Sequence, residues 1–228
     1  MTASATTTGE SARLRWKLEL AVPALFDAGQ RLIEHPRIRE LYPAYLVASH
    51  GVIRASVPLM RTALERARSA APSDAVAAGL ASYLEPHIDE ELDHDVWLLE
   101  DLETLGRDPD EVCSRPPSAA IAALVGAPYY WTLHYHPVAV LGYIALLEGY
   151  PPRITEVDAL MAGTGYPREA FRTLIRHAEL DPLHRDDLDE ALDRLPLTPA
   201  QSTVIATTAL HSVDAFTRLL EDLLEEAG

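Results

Sequence analysis

The octapeptides HIDEELDH (87–94) and HAELDPLH (177–184) share one spelling: His, three residues, an acid, two residues, His. Positions i, i+4 and i+7 share a side of the chain only if both segments are helical. At about 100° per residue they fall at roughly 0°, 40° and −20° on a helix, whereas a strand would scatter them over both faces of a sheet. Two helices, each with three metal-capable side chains in a narrow stripe, are therefore the first requirement on the fold.

The rest of the chain agrees with helices. Residues 12–36 repeat apolar side chains at helical spacing (Leu14, Leu18, Leu25, Leu32), with a break or bend expected at Pro23. A second helix is expected from about Pro43 to Ala70. A third, with Ser73 as its N-cap, should carry the first stripe and run on to Gly106. After a Pro/Ser-rich connector, AAIAALVGAPYYWTLH and HPVAVLGYIALLEG are hydrophobic nearly all round, which predicts segments in the middle of a bundle. Two further helices follow, the last with Thr198 as N-cap and Pro199 at its first position. No alternating β-branched run stands out. The expected architecture is an all-α bundle of about seven helices in one domain, 13–228, behind a flexible N-terminus, 1–12.

Charge and cysteine narrow the chemistry. A formal charge of −16 with no Lys/Arg run would repel nucleic acid and anionic membrane surfaces. One cysteine, Cys113, allows neither an internal disulfide nor a thiolate-based zinc or iron–sulfur site, so any metal would be held by His and carboxylates. The opening MTASATTTGESAR lacks signal-peptide character, and no uninterrupted apolar stretch is long enough to span a membrane, which predicts a cytoplasmic protein. A homodimer is allowed.

Glu148, in GYIALLEGYP, adds an acid at the end of an apolar segment, where burial would be costly without a cation. Imidazole and carboxylate ligands suit iron first and manganese second. A lone helical histidine is more often structural, and His134, His136 and His211 are read as core or pocket residues. The acids of EEL, EDLE and RDDLDE read as a mostly solvated face. Tyr129, Tyr130, Trp131, Tyr135 and Tyr143 are candidates to shape a pocket. Pro182, one residue after Asp181, and Pro86, just before His87, would disturb the turns that carry the stripes.

The order of these parts resembles the haem-oxygenase-like di-iron oxidases, a family of iron-containing redox enzymes: an acid and a His on one long helix, then GY…LEG, then His-x3-Asp-x2-His. EHPRIRELYPAYLVASHGVIRAS is similar to their first core segment, and the resemblance runs from about residue 30 to residue 225. It implies a haem-oxygenase-like fold, with His177, Asp181 and His184 as ligands from the late helix, Glu148 from the middle one, and Glu91 with His94 from the early one. It also implies two Fe(II) per chain and O2 as co-substrate. The implied substrates are small amines, amino acids or fatty acids, and the implied outcomes N-oxygenation, desaturation, C–C cleavage or decarboxylation. Some members carry the early Glu seven residues before the His, where this chain has His87. Either Glu91 serves, with His87 behind the ligands, or His87 is itself a ligand. Two other classes remain: a cofactor-poor enzyme of the same fold, similar to thiaminase-like or quinone-biosynthesis proteins, and a non-catalytic metal-binding helical protein.

Overall fold

The computed structural model describes residues 9–226, and within them forms ten α-helices and no strand. They are α1 (Glu10–Ile33), α2 (Ile38–Ala70), α3 (Ala75–Glu90), α4 (His94–Thr104), α5 (Pro109–Ser114), α6 (Ala119–His134), α7 (Val140–Leu147), α8 (Ile154–Thr164), α9 (Arg172–Arg194) and α10 (Pro199–Glu225). Short 3-10 turns at Pro137–Ala139 and Arg168–Phe171 lead into α7 and α9. Of the N-terminal segment 1–12, residues 1–8 lie outside the described residues, and α1 begins at Glu10. Among the described residues no helix is long and apolar enough to cross a membrane.

The described residues form ten helices where about seven were expected. The long third helix is two: α3 stops at Glu90, and α4 restarts at His94 after a turn in which Asp93 takes a left-handed conformation (φ 65°). Aspartate is one of the few side chains that tolerate this region. Gly106 (φ 75°) ends the second piece as expected. The N-cap of α3 is Asp74, not Ser73: its Oδ1 accepts from the N–H groups of Val76 (2.8 Å) and Ala77 (3.0 Å), while the Ser73 hydroxyl turns back to Ala70 O. Asp74 also meets His136 Nε2 at 3.0 Å, and His136 Nδ1 accepts from Val138 N–H, so this histidine ties helix ends together. α1 runs through Pro23, α2 through Pro43 and Pro58, α3 through Pro86 and α9 through Pro182. The cap at Thr198 forms as expected, reciprocated by Gln201.

α7 is the centre of the molecule, buried at seven successive residues from Val140 to Leu146. α10 packs across it and against α1 and α6, while α2 packs on α3, α4 and α6, and α9 on α1, α3 and α4. α6, also apolar nearly all round in sequence, lies further out, with Tyr130 and Leu133 exposed. Gly142 lets α7 and α10 approach: a Cβ there would sit 2.2 Å from Ile205 O and 2.7 Å from Ala209 N. Both are helix backbone atoms that cannot rotate away. Gly142→Ala is therefore expected to destabilise the fold by about 2 kcal/mol or more despite alanine's better helix propensity, and urea unfolding with an unchanged m-value would measure it.

Candidate metal centre

The break between α3 and α4 falls inside the first stripe, so a single helix face does not present its residues. His87 projects from the last turn of α3, Glu91 from the turn that follows, and His94 from the first residue of α4. α9 is unbroken and carries His177, Asp181 and His184; Glu148 caps the C-terminus of α7. The structure brings all seven into one region beneath the bundle surface. His87, His94, Glu148, Asp181 and His184 are buried, and Glu91 and His177 largely so.

Two groupings meet at Glu91. In the first, one ligand atom each from His87, Glu148 and His184 lies within 4.8 Å of the others; His87 Nε2 is 2.8 Å from Glu148 Oε1. In the second, the His94 and His177 rings stand edge to face, with centroids 5.1 Å apart. Glu91 faces both: Oε2 is 3.2 Å from His94 Nδ1 and Oε1 is 3.3 Å from His184 Nδ1. Despite these short separations, His87 Nε2, His94 Nδ1, His184 Nδ1 and Glu148 Oε2 make no hydrogen bond. These atoms face one another across shared space without well-formed hydrogen bonds. Each such orphan costs about 1–3 kcal/mol when buried, and a cation in each grouping would together satisfy all four. The donor set of imidazole nitrogen and carboxylate oxygen fits iron.

The surroundings orient the rings. His177 Nδ1 donates to Thr173 O (2.9 Å), leaving Nε2 free to ligate. Tyr83 stacks on His87, and Trp97 packs against His94 at 4.0 Å between centroids. Burial pulls the His177 imidazole below its ordinary pKa, which keeps it neutral, as a ligand must be. Burial would raise Glu91, but its contacts with His184 and His94 hold it well below the carboxylate range. Glu91 raises His184 to about 9, against burial. Burial, then Glu148 and Glu91, raise Asp181 to about 8.

These last two shifts set a pH response for the metal-free protein. The folded state keeps a proton on Asp181 from pH 3.8 to about 8, and on His184 from pH 6.5 to about 9, where the unfolded chain has released it. Each contribution to stability is therefore present at low pH and declines through its window. The metal-free Tm is expected to fall from pH 6.5 to 8, where both windows overlap, and Asp181→Asn should flatten the fall. A flat wild-type profile would contradict the assignment.

Beside the cluster lies a cavity of about 700 Å³ with His177 and Asp181 in its wall. The rest of the wall is mostly apolar, including Leu25, Val52, Leu98, Leu146, Leu174 and Phe216. The tyrosines and tryptophan expected to shape a pocket do not line it: Tyr130 and Tyr135 are exposed, and Tyr143 is buried against Ser56 Oγ (2.9 Å). Tyr45, Tyr150, Phe26 and Phe216 supply the aromatic wall instead. His134 is exposed, and His211 meets Ala123 O away from the cluster. Sequence reasoning missed Asp101, read as part of a solvated acidic face but fully buried. Its position seven residues after His94, on the same side of α4, was the available signal.

An all-α bundle enclosing a His/carboxylate cluster places the chain in the haem-oxygenase-like fold. Over 97% of its length it superposes on 94% of a domain of unknown function with a heme oxygenase-like fold from Shewanella denitrificans OS217, at TM-score 0.80 and 17% identity. A TenA homolog from Pseudomonas syringae pv. tomato DC3000 matches 92% of the chain with 93% of its own, at TM-score 0.64 and 13% identity. Residues 62–217 match the family described as iron-containing redox enzymes, and the chain belongs to that family. No curated protein matches its sequence.

Proposed function

We propose that this protein is a non-haem di-iron oxidase or oxygenase that uses O2 to oxidise a small organic substrate bound in the cavity beside the cluster. The observation that carries this reading is the set of buried, converging and unpaired atoms of His87, His94, His184 and Glu148. Membership of an iron-containing redox family supports iron as the cation. His87, Glu148 and His184 would hold one ion, His94, His177 and Asp181 the other, and Glu91, facing both groupings, would bridge them.

Ferrous iron, when bound, supplies the electrons that reduce dioxygen. The chain's own part is threefold. The helix break aims His87, Glu91 and His94 from three different backbone directions. The Thr173 carbonyl fixes the His177 tautomer. The apolar wall excludes water and receives the body of the substrate. That wall, mostly apolar with Arg153 and Glu156 among its residues, favours a molecule with an apolar body, such as a fatty acid, over a free amino acid.

The reading is tested by loading the protein with ferrous iron anaerobically, admitting O2, and following O2 uptake with a panel of fatty acids, amines and amino acids. Substrate-stimulated uptake, absent in His177→Ala, is expected. Uptake no faster than that of free ferrous iron across the panel would overturn the reading.

A further inference from the structure

α1 turns Leu14, Leu18, Val22, Leu25, Ala28 and Leu32 to the core, so its opposite side should be polar. That side instead carries Leu20, 86% exposed and the most exposed large apolar side chain among the described residues, and Trp16, 59% exposed. Pro23 and Ala24, also exposed, extend the stripe by a turn. A helix with two apolar stripes packs on two sides.

The outer stripe is symmetric about Leu20, and the symmetry selects what covers it. Lys17 and Pro23 lie three residues to either side, Trp16 and Ala24 four, and Arg13 and Asp27 seven. Offsets of three, four and seven residues return to within about 60° of Leu20 on a helix. We propose that α1 is the interface of a homodimer, in which the α1 helices of two copies pack antiparallel across a two-fold axis at Leu20. Each residue then faces the one equally far on the other side of Leu20 in the second copy. Leu20 meets Leu20, the Trp16 ring lies over the small Pro23 and Ala24 side chains, and Arg13 stands opposite Asp27. Glu10 faces Gln30 and Lys17 faces Pro23, so the stripe sets no like charges against each other. A parallel pair would set Arg13 on Arg13, Lys17 on Lys17 and Asp27 on Asp27. Within the chain, Arg13 pairs with Glu10 at 3.4 Å and Asp27 with Arg31 at 3.0 Å. Both pairs are partly exposed and therefore weak, so each charge can also reach across the axis.

Asp27 and Phe26 belong to the wall of the cavity beside the cluster. In the dimer, Arg13 of the second copy stands at the rim of that cavity, and each copy helps to form the entrance to the other's. This consequence rests on the substrate cavity proposed above; the dimer itself does not.

Metal-free protein tests the dimer independently of iron. Sedimentation equilibrium at about 0.15 M salt, where repulsion between two acidic chains is screened beyond about 8 Å, should show monomer and dimer in exchange. Leu20→Glu should weaken the dimer by about 100-fold or more, because it places two carboxylates on the axis, and should leave helical content and Tm unchanged, because the side chain it replaces is exposed. Arg13→Asp and Asp27→Arg should each weaken it by about 10-fold, and the double exchange should restore it. The two positions lie about 21 Å apart along one helix, so only a contact between copies can give that restoration. A wild type that stays monomeric at every concentration overturns the proposal, and so does a dimer that Leu20→Glu leaves intact. A double exchange no tighter than the single variants overturns the antiparallel register.

Discussion

Glu91→Ala should lower the iron capacity of the protein from two per chain to one or none, and leave any remaining ion bound about 10- to 100-fold more weakly. The carboxylate spans the two groupings, 3.2 Å from His94 Nδ1 and 3.3 Å from His184 Nδ1. With two ions bound as proposed, its loss would remove the group they share and leave two positive charges close together without the anion between them. The fold should survive, because Glu91 sits in the turn between α3 and α4 and contributes no apolar burial. Metal-free Glu91→Ala should also lose the influence that raises His184 to about 9. Two equivalents of iron, bound as tightly as in the wild type, would contradict the bridging role.

His87→Ala should be nearly as damaging, and at the opposite ion from His177→Ala. His87 lies directly against Glu148 at 2.8 Å, both of them buried. On the proposed reading that contact makes His87 a ligand, not a residue one layer behind the ligands. Its removal should empty the ion shared with Glu148 and His184 while the ion at His94 and His177 remains. A supporting role would instead cost about 10- to 100-fold in affinity with both positions still filled. Ferrous titration of the His87→Ala, His94→Ala and His177→Ala variants side by side distinguishes these outcomes. Retention of both ions in His87→Ala would remove it from the ligand set.

The recurring His-x3-acid-x2-His spelling led to side chains that do gather in one region, by an argument only half realised in space. The late stripe is one helical face, as the 3.6-residue period requires. The early stripe is not. Nothing in HIDEELDH announces that Asp93 will turn left-handed, since aspartate tolerates that conformation without requiring it. The break is decided by tertiary packing, with α4 directed against α2 and α9.

The same limit explains α6 and α7. Both segments are apolar on all sides, yet only α7 is enclosed, because Gly142 admits the α10 backbone against it. Hydrophobicity identifies which segments are able to be central. Close approach decides which one is. The cavity wall was least legible, since residues such as Leu25, Val52 and Phe216 come from separate helices with no local signature. Asp101 hid among exposed acids, and only its register with His94 set it apart.

The central claim is that seven side chains from α3, α4, α7, α9 and the turn at Glu91 form one site for a pair of iron ions. Anaerobic titration of the metal-free protein with ferrous iron, read by calorimetry and by Mössbauer spectroscopy of the loaded sample, tests it most directly. Saturation at two ions per chain, in two high-spin ferrous environments of mixed nitrogen and oxygen ligation, is the predicted result. Saturation at one ion, or no binding at all, would contradict it.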